Sequence, residues 1–274
     1  HPNVASVYDF GETANGLVYL AMEFVEGVPL TQVLEQDAVL DHIRSSDVVT
    51  QIADALGAAH SLGILHRDLK PDNVMIAKTR AKTDLVKLLD FGIARVMGRE
   101  TQHFTSTGLI IGTPEWMSPE QISGDQLDAR SDIYALGLIA FRMLTGGGAF
   151  SGATSQEILL AKMTKAPRRL AEARPDVAWP EPLQLAIDRV LATDPEARYG
   201  DAMAFASDFY QGVSQLPMTA DTEAYLTALS QRSMTPARGL GTIEATPVRG
   251  VPTHETPARP FPARGTDVPQ LANT

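Results

Sequence analysis

The stretch "HRDLKPDN", residues 66–73, decides how this chain is read. It crowds a histidine, an arginine, an aspartate, a lysine and an asparagine into eight positions, directly after the apolar run 62–65. For any one of these residues a solvated helix-to-strand connection is the ordinary reading. The ordered set is a candidate site, and its neighbours fit a loop held between regular elements. Upstream, Val48, Val49, Ile52, Ala53, Leu56 and Ala59 follow helical spacing, with Ser45 or Ser46 expected to cap the start and Gly63 to end it. Downstream, "NVMIA" (73–77) and "LVKLLDF" (85–91) flank the polar "KTRAKTD" (78–84), which predicts a hairpin.

Working outward, 4–10 and 17–24 are β-branched and aromatic runs on either side of the turn-like "GETANG", a second hairpin. Residues 132–145 are apolar almost all round and close on Gly146, as expected of a helix buried inside a domain. Further helical stretches are predicted at 154–165, 182–192 and 201–212. After 213 the composition shifts: residues 211–274 hold eight of the 18 prolines, no lysine, and five acids against five arginines. The near-repeats "TPARG", "TPVRG", "TPARP" and "FPARG" lack apolar periodicity, so 213–274 is expected to be a disordered linker, with room for one short helix over 220–230.

Bulk properties narrow the function. With 44% hydrophobic residues in 274, the chain can bury a sizeable core. A net charge of −10 argues against a general nucleic-acid binder, which needs a basic surface. The absence of cysteine excludes disulfides and thiolate metal sites and suits a reducing compartment. No basic start precedes an apolar segment, and the most apolar run, 133–144, is too short to span a bilayer and contains Arg142. A soluble, cytoplasmic chain is expected. It begins with His1 and enters strand-like sequence at once, so it is also expected to be the interior of a longer product, whose parent can be membrane-anchored.

The order His66-Arg67-Asp68-x-Lys70-x-x-Asn73 resembles the catalytic loop of protein kinases. Seventeen positions after Asn73 comes "DFG", Asp90–Gly92, then "GTPEW" (112–116), "SPE" (118–120) and "DIYALG" (132–137), all in that family's order. The resemblance is to bacterial serine/threonine kinases of the eukaryotic-like type and covers 1–212. It implies an α+β kinase fold: a remnant of the small β lobe (1–24), then the hinge and a complete, mainly helical large lobe (25–212). It implies that Asp68 accepts or orients the proton of the acceptor hydroxyl, that Lys70 contacts the γ-phosphate, and that Asn73 and Asp90 hold Mg²⁺, or Mn²⁺ in its place. "YLAMEFVEG" (19–27) resembles the last small-lobe strand and hinge, with Met22 as gatekeeper, the Glu23 carbonyl and Val25 amide pairing with the adenine of ATP, and Met75 forming the pocket floor. His66 resembles the histidine that packs against Phe91 of the DFG segment. Glu120 and Arg198 resemble the ion pair that anchors the activation segment, and Asp132 the brace of the catalytic loop. Thr105, Ser106 and Thr107 fall in the activation segment, where phosphorylated Thr105 and Thr107 would engage Arg67.

The implied partners are ATP, proteins bearing serine or threonine, and a second kinase copy for autophosphorylation in trans. The family's glycine-rich loop, strand lysine and helix glutamate are not found. Lys70 is the first lysine of the chain, and Gly239-Leu-Gly241 has Glu244 where a third glycine belongs. The 274 residues alone are therefore expected to be inactive. The alternatives are an incompetent pseudokinase or a docking scaffold, and these leave Asp68, Asn73 and Asp90 without a purpose.

Overall fold

The computed structural model describes residues 1–13, 15–79, 83–91 and 114–234, with side chains to 231. β1 (Val7–Glu12) and β2 (Val18–Met22) form the first expected hairpin, antiparallel with a bulge between Val7 and Asp9. It starts later than its apolar pattern suggests. Val4 instead makes a parallel bridge to Leu88, and the Ala5 amide donates to the Leu88 carbonyl. Val7, Tyr8, Phe10 and Leu17 of this ribbon are each more than half exposed.

A short strand with no clear sequence signal, β3 (Val28–Pro29), pairs with β4 (Val74–Lys78), which pairs with β5 (Asp84–Leu88). β4 and β5 are the second expected hairpin, in the register Val74–Leu88 to Lys78–Asp84. Gly27 lets the chain reach this sheet, since a Cβ there would lie 2.6 Å from the Ile76 carbonyl oxygen.

α1 (Leu30–Asp37) buries Leu30, Val33 and Leu34 and leads into α2 (His42–His60). Asp41, not Ser45 or Ser46, caps α2: its carboxylate accepts from the Ile43 and Arg44 amides at 2.9 and 3.2 Å. The two serines lie on the buried face of the helix, because the apolar face continues a full turn ahead of the first clear Val–Val pair. α3 (Pro119–Ser123) carries a capping box of Ser118 and Gln121 and ends at left-handed Gly124. α4 (Ala129–Thr145) is the expected buried helix, capped by Asp128 and closed by Gly146 at φ 71°. α5 (Ser155–Thr164), α6 (Leu170–Ala173), α7 (Glu181–Val190), α8 (Ala202–Val213) and α9 (Ala220–Met234) follow.

The core gathers around α4. Ile133, Tyr134, Leu136, Ile139, Phe141 and Met143 of this helix are fully buried, and α2 and α7 pack on it, with α8 against both of those. Gly137 sets the α4–α7 spacing: a Cβ there would meet Val190 Cγ1 at 2.5 Å. No helix among the described residues is long and apolar enough to cross a membrane.

The short helix allowed over 220–230 forms as α9 and runs on to Met234. Residues 213–234 belong to the folded unit, because α9 lies on α2. Thr222 is fully buried and donates to Asp41 at 2.5 Å, and the Tyr225 hydroxyl donates to Asp47 at 2.8 Å. The four threonine- or phenylalanine-proline repeats lie outside the described residues.

Candidate active site

The loop after α2 owes its shape to one carboxylate. Asp132, in the first turn of α4 and 2% exposed, accepts from the backbone amides of His66 and Arg67, both at 2.8 Å. His60 Nε2, at the end of α2, meets the same carboxylate at 2.8 Å. Arg67 is held left-handed at φ 67°, which costs an L-residue about 1–2 kcal/mol. Its carbonyl accepts from Gln121 Nε2 at 2.6 Å, so α3 supports the loop from the other side. The strain is stored next to Asp68, where the chain must turn the carboxylate outward.

Asp68 is exposed, and its Oδ2 accepts from Lys70 Nζ at 2.7 Å and from Asn73 Nδ2 at 3.2 Å. Asn73 is 8% exposed and donates more closely, at 2.7 Å, to the Asp68 carbonyl. Its amide is thereby fixed, with Oδ1 left as the outward acceptor. The Leu89 amide donates to the Asn73 carbonyl at 2.9 Å, which brings Asp90 beside this cluster. Asp90 is exposed and left-handed, at φ 61°. Asp68, Lys70 and Asn73 thus meet within one loop, and the Leu89–Asn73 bond ties the segment just after β5, which carries Asp90, to it.

His66 is buried with its ring 4.7 Å from that of Phe91. Burial pushes its imidazole below the ordinary value, partly opposed by Asp132 and Asp68. A neutral ring packed on Phe91 suits a spacer and not a proton carrier. Gly92, Thr105, Ser106 and Thr107 lie outside the described residues, and Arg67 makes no ion pair among those described.

At the other edge, Met22 and Met75 are half-buried, on β2 and β4. The Val25 amide and Glu23 carbonyl have no hydrogen-bond partner among the described residues. The Glu23 side chain has a task that its sequence context did not suggest. It pairs with Lys87 at 2.8 Å and accepts from the Ser6 amide at 3.0 Å. Burial pushes Glu23 up, but Lys87 and Ser6 outweigh this and hold it below the ordinary carboxylate range.

Glu120 and Arg198 form a two-pronged pair at 2.8 and 2.9 Å, with the arginine side chain fully buried. Arg198 also donates to the carbonyls of Ala192, Thr193 and Arg130, and Ser131 Oγ donates to Glu120. Beside this pair sits Lys162, which sequence reasoning missed because a single lysine in a short helix ordinarily reads as surface. It is 1% exposed and donates to the carbonyls of Glu115, Met117 and Pro114 at 2.6, 2.7 and 3.3 Å.

Residues 1–210 match the protein kinase domain family. The chain is 39% identical over 210 residues to the serine/threonine-protein kinase pkn3 of Myxococcus xanthus, covering 76% of this chain and 38% of that protein. It is 37% identical over 215 residues to the serine/threonine-protein kinase PknB of Mycolicibacterium smegmatis, covering 76% and 33%. The chain therefore spans about a third of the length of the curated relatives it matches. Among solved structures, the PknI kinase domain of Mycobacterium tuberculosis aligns with a TM-score of 0.58 at 30% identity, covering 77% of this chain and 73% of that one. Rad53 residues 1–466 in complex with AMP-PNP align at 0.62 and 27% identity, covering 76% and 50%.

Proposed function

The chain belongs to the protein kinase domain family, and from that premise we propose that it supplies the large lobe of an enzyme moving the γ-phosphoryl group of ATP to serine or threonine hydroxyls of proteins. The observation that carries this reading is the convergence of Asp68, Asn73 and Asp90, secured by the Asn73–Asp68 and Leu89–Asn73 hydrogen bonds. In the reaction the acceptor oxygen forms a bond to the γ-phosphorus, the bond from that phosphorus to the bridging oxygen breaks, and ADP leaves. Asp68 takes or orients the hydroxyl proton. No donor among the described residues meets its Oδ1, which leaves that oxygen for the acceptor. Lys70, already on Asp68 Oδ2, would also contact the γ-phosphate.

Asn73 Oδ1 and the Asp90 carboxylate are hard oxygen donors, which suits Mg²⁺ or Mn²⁺. Among the described residues no cluster of three acidic or histidine ligands forms. That matches a metal held by one or two side chains together with phosphate oxygens. When bound, the ion neutralises phosphate charge; the chain's own contribution is position. Met22, Met75 and the 23–25 backbone would receive the adenine, and Arg67, without an ion pair among the described residues, would engage Thr105 or Thr107 once a second kinase copy has phosphorylated them.

The test uses the native protein that contains these residues, with ATP, Mg²⁺ and casein as acceptor. Asp68→Asn should reduce transfer at least about 10²-fold, in the range of removing a positioned proton acceptor. Its melting temperature should stay within about 4 °C, since an exposed pair is worth at most about 1 kcal/mol. Transfer at the unmodified rate by Asp68→Asn would reject the assignment.

A further inference from the structure

Lys162 is an unusual buried cation. Its ammonium lies on α5, in a site whose near partners are three backbone carbonyls of 114–117 and the ring of Tyr134, 5.7 Å from Nζ to the centroid. Among the described residues it makes no ion pair. The charged or titratable groups around it are Glu115, which acts on it through space, Tyr134 and Arg142 from α4, and Arg198, whose guanidinium lies 4.6 Å from the Tyr134 centroid. A lysine that only filled space would be replaceable by methionine. This one meets three acceptors with three N–H donors.

The carbonyls it holds belong to the strip that runs into Ser118 and α3. That strip is tied to the catalytic loop at its far end, where Gln121 Nε2 donates to the carbonyl of Arg67, the residue before Asp68. A protein acceptor presenting a hydroxyl to Asp68 therefore has residues 114–121 as its neighbouring wall. We propose that Lys162 is a positioning residue for the protein acceptor: by stapling the carbonyls of 114–117 it fixes that wall, and so sets affinity for the acceptor and not for nucleotide. The inference rests on the kinase reading above.

Protonation decides whether the staple is complete. An ammonium offers three N–H groups, whereas a neutral amine offers two and turns a lone pair toward a carbonyl. Burial pushes Lys162 down from its ordinary value to about 7, opposed by the nearby Glu115 carboxylate. As pH rises through that region, the staple should loosen. Global stability should move the other way. The folded value lies below the unfolded one of about 10.4, so burying the charge costs most below the folded value, and that cost is relieved as pH climbs. Opposite signs separate a loosened wall from a loosened fold.

The experiment measures KM for casein and KM for ATP in the native protein between pH 6 and 9, together with hydrogen exchange of the 114–121 amides corrected for intrinsic rates. In the unmodified protein, the casein KM should rise roughly tenfold as pH passes above about 7, with the ATP KM flat. Lys162→Met should show the high casein KM at every pH, and Lys162→Arg, charged throughout, should show a low, flat one. Protection of 114–121 in the unmodified protein should fall over the same range, a reading that stands even if Lys162→Met fails to fold. A pH-independent casein KM, an unchanged casein KM in Lys162→Met, or constant protection of 114–121 would each overturn the proposal. Absence of any phosphoryl transfer by the unmodified protein would instead count against the kinase reading, while the exchange measurement would still report on Lys162.

Discussion

Replacing Glu120 by glutamine keeps the shape of the side chain and removes its charge, leaving the fully buried Arg198 guanidinium uncompensated. Breaking a buried pair by removing one partner costs about 3–5 kcal/mol, because the surviving charge remains desolvated. Arg198 retains the carbonyls of Ala192, Thr193 and Arg130 at 2.7–3.3 Å, which softens but does not cancel the loss. Against a domain stability of about 5–15 kcal/mol that is a large fraction. At about 2–4 °C per kcal/mol for a body of this size, the melting temperature should fall by roughly 6–20 °C. Acid sensitivity gives a second reading. Burial raises Glu120, but the hydrogen bonds from Arg198 and Ser131 outweigh it and hold the carboxyl below its ordinary value. The pair's contribution is therefore present above the unfolded value of about 4.3 and is lost as pH falls through the folded one. Glu120→Gln lacks that titration, so its acid limb should be shallower. Urea unfolding followed by circular dichroism at pH 7 and at pH 4 measures both. A loss under about 1 kcal/mol at pH 7 would refute the account of a desolvated charge. The double change Glu120→Met with Arg198→Met should recover only part of the stability, since three carbonyls then lose their donor.

Asp132→Asn offers the His66 and Arg67 amides a single acceptor oxygen and places an NH₂ group where a second acceptor is needed. Transfer should drop about 10²-fold through misplacement of Asp68, measured as kcat with casein. Gly137→Ala puts a methyl against Val190 and should destabilise the fold by about 1–3 kcal/mol in urea titrations. Tyr225→Phe removes the hydroxyl that donates to Asp47. It should raise hydrogen exchange across 220–234 by about tenfold or more, with little effect elsewhere, as expected for a hydrogen bond to a charged group worth about 1.5–3 kcal/mol.

The parts of the molecule that sequence made legible are those with strong periodicity or ordered chemistry. α4 is apolar all round, β4 and β5 are β-rich runs around a polar turn, and the 66–73 loop carries polar groups in a family-specific order. The site residues that could be named were those that stand in the family's ordered motifs, including the distant Glu120–Arg198 pair and the Asp132 brace. Asp41 was overlooked as a cap because two serines nearer the clear apolar stripe offered the same chemistry, and only burial distinguishes them. The sequence leaves room for α9 only as a short helix over 220–230, because its weak amphipathicity is diluted by forty proline-rich residues beyond it. What holds it is a pair of long-range hydroxyl–carboxylate bonds, which leave no periodic trace. Lys162 is the extreme case: its burial depends on three carbonyls some 45–48 positions earlier in the chain.

The Asp132 brace also bears on how the protein is made. The left-handed turn at Arg67 is held by an acceptor 65 positions further along the chain. On a ribosome adding about 5–20 residues per second, the 66–73 loop is therefore synthesised roughly 3–13 s before its brace. Arg198, which anchors Glu120 from 78 positions downstream, arrives later still. We expect a nascent chain stalled just short of residue 132 to hold α2 but no ordered 66–73 loop. Synonymous codons that slow translation between 73 and 132 would then prolong exposure of an unbraced loop without altering a single side chain of the finished protein.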